Sequence, residues 1–350
     1  MMKTILALDS FKGCLTSREA VETASQAFPE GDSVPFPLSD GGEGFTECVV
    51  GALGGTFRTA AAHDPLGRPI SARYGWIHGG RTAVLESAAA SGLTLLSREE
   101  LDPLRASSYG TGELIADAIR QGAEEIWIGL GGTAVMDAGA GMLRALSSTP
   151  VTVPIHAFYD VDVPLTGPSG AASVFGPQKG AGPDEIAKLE DRFRRISDSW
   201  RREWKADVSA LHGAGAAGGL GAALAIRLQA TLHEGIASVL RMTGFRERLR
   251  ECGMVVTGEG KADRQTLTGK AAYGVLKAVR EWAPGTPVVL VAGQVEDREI
   301  LKAAGFDSII QLTPKKDLEE NYLQKTVAQR NLLRAISRLA EDFPNLGNQQ

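Results

Sequence analysis

The chain has 350 residues, a formal net charge of 37 − 42 = −5 and three cysteines. That length leaves room for two domains, because single cores rarely grow past about 250–300 residues. The acidic balance argues against a nucleic-acid surface, and no C-x-x-C pair suggests zinc or a disulfide framework.

Residues 1–4 lead straight into a strand-like run without a signal-peptide pattern. No apolar run approaches the roughly 18 residues of a membrane span. The chain therefore reads as soluble and cytoplasmic. Residues 4–9 form the first expected strand, followed by a helix from Thr16 to about Phe28 with Ser17 and Glu19 as capping candidates. A second strand is expected over 33–38 and a second helix over 44–53, stopped by Gly54 and Gly55. The pattern then changes. Segments 57–62, 70–77 and 82–87 read as strands joined by turns at 64–67 and 79–80. Helix 112–121 feeds strand 126–130; helix 138–146 and strand 155–159 follow. A long helix over 183–204 carries Ile186, Leu189, Phe193, Ile196 and Trp200 at helical spacing, a stripe that faces a core. After a glycine tract at 213–221 comes a helix over 222–229. Strand–helix alternation returns with strand 254–258, helix 270–281, strand 287–292, helix 297–304, strand 307–311 and a terminal helix near 321–341.

This order predicts an α/β fold. A discontinuous Rossmann-like parallel-sheet domain is drawn from 1–57 and 236–350, and a second α/β domain, 58–235, is inserted. Ligands of open parallel sheets sit beyond the carboxyl ends of the strands. Asp9, Ser10, Asp40, Glu259 and the pair Ala292-Gly293 are expected around one crevice that lies against the inserted domain.

Glycine is the compositional outlier, 42 of 350 residues or 12%, against a usual value of about 7%. The run Ser39-Asp40-Gly41-Gly42-Glu43-Gly44 places bare backbone at a helix start, suited to an anion. Asp40 and Glu43 would repel a naked phosphate there, and a bridging magnesium ion reconciles them; the plainer alternative is an ordinary loop with Asp40 as N-cap. Residues 257–270 again alternate glycine, acid and ammonium, but no Walker motif is met, because Arg264 stands where the first glycine belongs and Ala271 follows Lys270. The tract at 213–221 matches G-x-G-x-x-G without a buried strand before it, which points to close helix packing or a helix start lining the cleft rather than dinucleotide binding. The five histidines show no metal-ligand spacing.

Cations, acids and glycine backbone at strand exits suit phosphoryl transfer, whose demands are charge neutralisation and positioning. Lys12, Lys179, Lys261 and Lys270 are candidate cations; Asp9, Asp40, Glu43, Asp160, Glu259 and Asp263 are candidate magnesium ligands or bases.

The motifs also carry a resemblance. DSFKG (9–13), SDGGEG (39–44), YGTGELI (109–115), GLGGT (129–133), DAGAGM (137–142), the run 160–181, GAGAAGGLG (213–221) and TGEGKADRQTLTGKA (257–271) occur in the order seen in type I glycerate kinases. The resemblance implies phosphorylation of glycerate to phosphoglycerate with ATP and Mg²⁺, and an active site in the cleft between two domains. On it we assign Lys12, Asp40, Asp160 and Lys270 to catalysis. Asp9, Ser10, Gly41, Gly42, Thr133, Asp137, Lys179 and Gln265 are assigned to substrate or nucleotide, and Glu43, Glu259 and Asp263 to the metal. Glycerate and ATP are the expected partners, with neither nucleic acid nor membrane, and a homodimer is kept open.

The chain departs from the family's usual GGSATNDGGAGM, reading GGTAVMDAGAGM. Met136 replaces an amide, Ala138 a glycine, Val163 an asparagine and Tyr159 a cysteine, and the stretch from Leu146 to Pro154 is shorter than usual. A methionine cannot make an amide's hydrogen bonds. A kinase of a related small hydroxy acid, or a nucleotide-binding pseudoenzyme, is therefore the alternative. The motifs leave open whether the 2- or the 3-hydroxyl is phosphorylated.

Overall fold

The structure, a computed structural model, describes residues 3–11, 13–313 and 324–346. Its strands in chain order are β1 (Lys3–Leu8), β2 (Ser33–Pro35), β3 (Thr56–His63), β4 (Pro69–Ile77), β5 (Thr82–Glu86), β6 (Glu125–Gly129), β7 (Ile155–Tyr159), β8 (Thr231–Glu234), β9 (Cys252–Ala262), β10 (Val288–Val295) and β11 (Ser308–Gln311). Two compact units divide the chain: Met1–Ser39 with Val239–Gln350, and Asp40–Ser238.

The first unit is built on a parallel five-stranded sheet in the order β11-β10-β9-β1-β2. Its central strands are continuous apolar runs, as a sheet covered on both faces requires. Leu6, Leu8, Met254, Val256, Val289 and Val291 share a buried cluster with Val21, Leu332 and Ile336. That cluster joins the helices Ser17–Ser25 and Lys325–Leu346 to one face. Side chains alternate across a strand, so Ile5, Val255 and Leu290 point the other way; the helix Ala271–Trp282 packs on β9, β1 and β10. Thr16 and Glu19 form a reciprocal capping box at the first helix. β2 is shorter than expected because Pro35 and Pro37 cannot donate, although Phe36 and Leu38 still donate to Leu6 and Leu8 carbonyls. β9 is longer, because Lys261 and Ala262 keep pairing with β10. Residues 321–323 of the expected terminal helix lie outside the described residues.

The second unit carries a six-stranded mixed sheet in the order β3-β4-β5-β6-β7-β8. β4 is antiparallel to β3 and β5, and β5 to β8 are mutually parallel. Two reversals cancel, so β3, β5, β6 and β7 all run the same way and leave the sheet at one edge. The core holds Tyr74, Trp76, Leu85, Leu114, Ile128 and Met142 together with Leu189, Phe193 and Trp200 from the helix Pro183–Trp204.

The first boundary differs from the expected 57/58. The helix Phe45–Leu53 packs on β4 and β5 of the second unit. It does so closely: a Cβ added to Gly75 would lie 2.2 Å from a Val50 methyl carbon. The helix expected from 222 begins at Ala216 and contains Ala217, Gly218 and Gly219 at φ of 51°, 67° and 90°. A Cβ at Gly218 would meet the Val135 carbonyl at 2.0 Å. The tract therefore serves close packing. Among the described residues no helix is long and apolar enough to cross a membrane.

Candidate active site

In the first unit, Asp9 follows the last residue of β1 beside Glu259, which lies within the neighbouring parallel strand β9. Leu8 is in register with Gly258, and the Asp9 N–H donates to the Gly258 carbonyl at 3.0 Å. Gly258 is required there, because a Cβ would lie 2.3 Å from the Val291 carbonyl oxygen. The Ser10 N–H donates to Asp9 Oδ1 at 2.7 Å.

Glu259 is buried. Lys270 Nζ donates to its Oε2 at 2.8 Å and Thr266 Oγ1 to its Oε1 at 2.7 Å. Burial pushes the Glu259 carboxyl above its ordinary pKa, against the pull of Lys270 and Thr266. Asp263 caps the short turn Arg264–Thr268, accepting from the Gln265 N–H at 2.8 Å. The Gln265 side chain is exposed. Lys261 lies 3.7 Å from Asp263 and 3.0 Å from Glu296. Lys12 lies outside the described residues.

In the second unit, the loop 40–44 lies on the exits of β6 and β7. The Gly131 N–H donates to the Gly41 carbonyl at 3.2 Å. Gly41 has a φ of +95°, and a Cβ on it would stand 2.8 Å from the Phe158 carbonyl oxygen. A Cβ on Gly131 would stand 2.3 Å from Gly42 Cα. Only glycine allows this approach. Asp40 Oδ1 accepts from the Gly42 N–H at 3.1 Å, an Asx turn. A Cβ on Gly42 would lie 3.9 Å from Asp160 Oδ2, so Asp40, Gly42 and Asp160 are neighbours. Glu43 is exposed.

The helix start at 44–46 does not present free amides to a ligand as the sequence suggests. Glu86, at the end of β5, accepts from the Thr46 N–H at 2.7 Å and the Gly44 N–H at 3.3 Å. Gly44 has no capping side chain of its own. Burial raises the pKa of Glu86, opposed by these two donors. Sequence reasoning missed this residue; its signal was an acid closing the apolar run TAVLE.

Lys179 is 3% exposed. Its Nζ donates to the Val135 carbonyl at 2.9 Å and to Thr133 Oγ1 at 3.2 Å. Desolvation pushes its pKa down to about 7, while the Asp137 and Asp160 charges pull it back up. Asp137 is engaged by four donors: Ser108 N–H and Oγ at 2.9 Å each, Gly141 N–H at 3.0 Å and Gly139 N–H at 3.1 Å. It staples the starts of the helices Tyr109–Arg120 and Ala140–Ala145, which uses a carboxylate's acceptor capacity.

Met136 and Val163 are both buried. The Met136 carbonyl accepts from Arg192 Nη1 at 3.4 Å. Tyr159 packs against Gly213, where a Cβ would meet its ring at 2.5 Å.

Among the described residues no group of three or more His, Cys, Asp or Glu is arranged to hold a metal. The donors near the exits are carboxylate oxygens, which suit magnesium; that ion commonly takes only one or two carboxylates and completes its shell with phosphate and water. The structure thus brings Asp9, Ser10, Glu259 and Lys270 together in the first unit, with Asp263 and Gln265 on the adjoining turn. In the second it brings together Asp40, Gly41, Gly42, Thr133, Asp160 and Lys179.

Acids, lysines and close-packed glycine at parallel-strand exits define an α/β protein of the class that handles small anionic ligands. A family model described as the glycerate kinase family matches residues 4–152 and 147–343. The chain is 38% identical to glycerate kinase of Bacillus subtilis strain 168, over 89% of this chain and 91% of that one. It is 34% identical to glycerate 2-kinase of Escherichia coli K12, over 97% of each. A crystal structure assigned to glycerate kinase 2 of Salmonella typhimurium LT2 superposes with a TM-score of 0.80 at 34% identity, covering all of both chains. The chain belongs to the glycerate kinase family.

Proposed function

We propose that the chain transfers the γ-phosphoryl group of ATP to a hydroxyl of glycerate, giving phosphoglycerate. The observation that carries this reading is the buried Lys179, hydrogen-bonded to Thr133 and the Val135 carbonyl near the Asp137 and Asp160 carboxylates. Desolvation disfavours its charge by more than the Asp137 and Asp160 carboxylates restore, and a further anion would favour the ammonium. An anionic substrate, the acid or the nucleotide phosphates, supplies one.

In this reading Asp40 or Asp160 accepts the hydroxyl proton, while Lys12 and Lys270 neutralise the moving group. Asp9 and Ser10 border the phosphates. Magnesium, held by phosphate oxygens with carboxylates drawn from Glu43, Glu259 and Asp263, would offset the charge that develops on them. In this reading Asp160→Ala and Lys270→Ala should each abolish turnover. The name of the Escherichia coli relative supports the 2-hydroxyl as acceptor. We also place the reaction in the cytoplasm, a reading that suits three free cysteines.

The test is a coupled ADP-release assay with glycerate, ATP and Mg²⁺, followed by proton-coupled ³¹P NMR of the product. A phosphate on C2 has one vicinal proton and gives a doublet; one on C3 has two and gives a triplet. Nucleotide binding without ADP release would reject the proposal. Met136 and Val163 put apolar groups where the family usually has asparagine, which favours a related small hydroxy acid as the second reading. Turnover with such an acid and none with glycerate would select it.

A further inference from the structure

The second unit holds a cavity of about 460 Å³ that no residue assigned above lines. It opens at the exit of β3, on the same sheet edge as the exits of β5 to β7. It is lined by His63, which ends β3, by the turn 64–67, and by Arg105 and Ser107 ahead of the helix Tyr109–Arg120. Arg144, in the helix Ala140–Ala145, also lines it.

Charge is unbalanced in this space. Asp64 is the one acid in the lining, and it is spent: it accepts from Arg68 Nε at 2.5 Å and from the Leu66 and Arg68 N–H groups at 2.9 Å each. His63 Nδ1 is taken by Glu113 at 2.9 Å. Arg105 and Arg144 have no acid partner among the described residues. Arg144 lies over the Tyr109 ring, its guanidinium carbon 5.1 Å from the centroid. A cation over a ring face is attracted by the ring without using up its N–H donors. Two guanidinium forks from separate segments, in a lining that also includes Ser107 and Tyr109, match a carboxylate or a phosphate.

We propose that this cavity binds a small organic anion, an acid or its phosphate ester, through Arg105 and Arg144. The volume suits a ligand of a few carbons and lies toward the small end of ligand pockets. The anion could be the acceptor acid or phosphorylated product of the reaction above, in which case the assignment rests on that reading. It could equally be an anion that regulates from outside the reaction, which does not depend on it.

The experiment is calorimetric titration of the full chain with D-glycerate, 2-phosphoglycerate and inorganic phosphate in turn, for the wild type and for Arg105→Gln, Arg144→Gln and the double variant. Both arginines are exposed, so melting temperatures should agree within about 2 °C. At least one of the three anions should bind the wild type. The double variant should bind it at least about tenfold more weakly, on the scale of a lost charge-assisted hydrogen bond. Loss of glycerate binding with a matching rise in KM assigns the cavity to the acceptor. Loss of phosphate or phosphoglycerate binding with kcat and KM for glycerate unchanged assigns it to a separate regulator. No binding of any anion by the wild type, or equal affinities in the double variant, overturns the proposal. Should the double variant melt early, each single variant is held to the same criterion. The titration reads binding directly, so it stands even if the chain releases no ADP.

Discussion

Glu259 and Lys270 form an ion pair of 2.8 Å in which the carboxylate is buried and the ammonium about one-third exposed. Truncating the lysine leaves an acid with only Thr266 for support. Lys270→Met should therefore cost on the order of 1–3 kcal/mol, less than for a fully buried pair because water reaches the site. Glu259→Gln combined with Lys270→Met should recover part of the loss. Burial raises the folded pKa of Glu259. The stability it contributes is thus full below the usual glutamate pKa and is lost as pH rises through the folded value. Removing Lys270 raises that value further and steepens the loss. Urea unfolding across pH 4–8 reads both effects; a Lys270→Met protein as stable as wild type at pH 8 would contradict the assignment.

Lys179 makes a prediction of opposite sign. Its folded pKa is pushed down to about 7 by burial. Neutral lysine stabilises the fold above the unfolded pKa of about 10.4, and that contribution is lost as pH falls through the folded value. Lys179→Met should then be more stable than wild type at pH 7, with the gap closing toward pH 10. Turnover should be lost, because the anion's partner is gone. In the wild type, kcat/KM reports the free enzyme and should fall above about pH 7 as the ammonium deprotonates. A flat profile from pH 6 to 9 would remove the Lys179 charge from the reaction.

Ala138 adopts a φ of +49°, and its N–H donates to the Gly218 carbonyl at 3.0 Å. An L-residue in the left-handed region costs about 1 kcal/mol. Elsewhere Ala→Gly lowers stability by roughly 0.5–1 kcal/mol. At this position Ala138→Gly should be neutral or stabilising, as read by thermal unfolding. A melting temperature lowered by several degrees would show that the alanine methyl has packing value that outweighs the strain.

Much of this was legible because the signal was local. The central strands of the first sheet are apolar runs, and the stripe Leu189, Phe193, Trp200 repeats at helical spacing and is buried. β8 was missed because TLHE is half polar and partly exposed. The helices Gly235–Met242 and Phe245–Leu249 were missed too. The SDGGEG loop illustrates a different limit. It follows a strand and opens a helix, so sequence alone reads it as a phosphate loop of the first sheet. Its glycines instead meet Phe158 and Gly131 of the second, a contact more than 80 residues away in the chain. Asp137 looked like a ligand because it is an acid in a glycine-rich exit; only the four donors around it reveal an anchor.

Lys12 is the residue on which the phosphoryl-transfer reading depends most directly from sequence. Lys12→Ala should reduce kcat by about two to three orders of magnitude, the scale of one lost transition-state donor. Its melting temperature should stay near that of the wild type. Near-normal turnover would take Lys12 out of the mechanism.

Glu86 tests whether the loop 40–44 depends on support from its own sheet. The carboxylate accepts both amides at the start of Phe45–Leu53 across some 40 residues of chain. Glu86→Ala removes both acceptors and should cost about 1–2 kcal/mol, as for a lost N-cap. Glu86→Gln retains one acceptor and should cost less. The folded pKa of Glu86 is raised by burial, so its contribution is present below the usual glutamate pKa and declines as pH rises through the folded value. Glutamine does not titrate. The stability difference between the two proteins must therefore move in favour of Glu86→Gln from pH 4.5 to pH 8. A difference that moves toward the wild type over that range would mean the helix dipole and the two amides outweigh desolvation, and that the ionised carboxylate is the form the fold prefers.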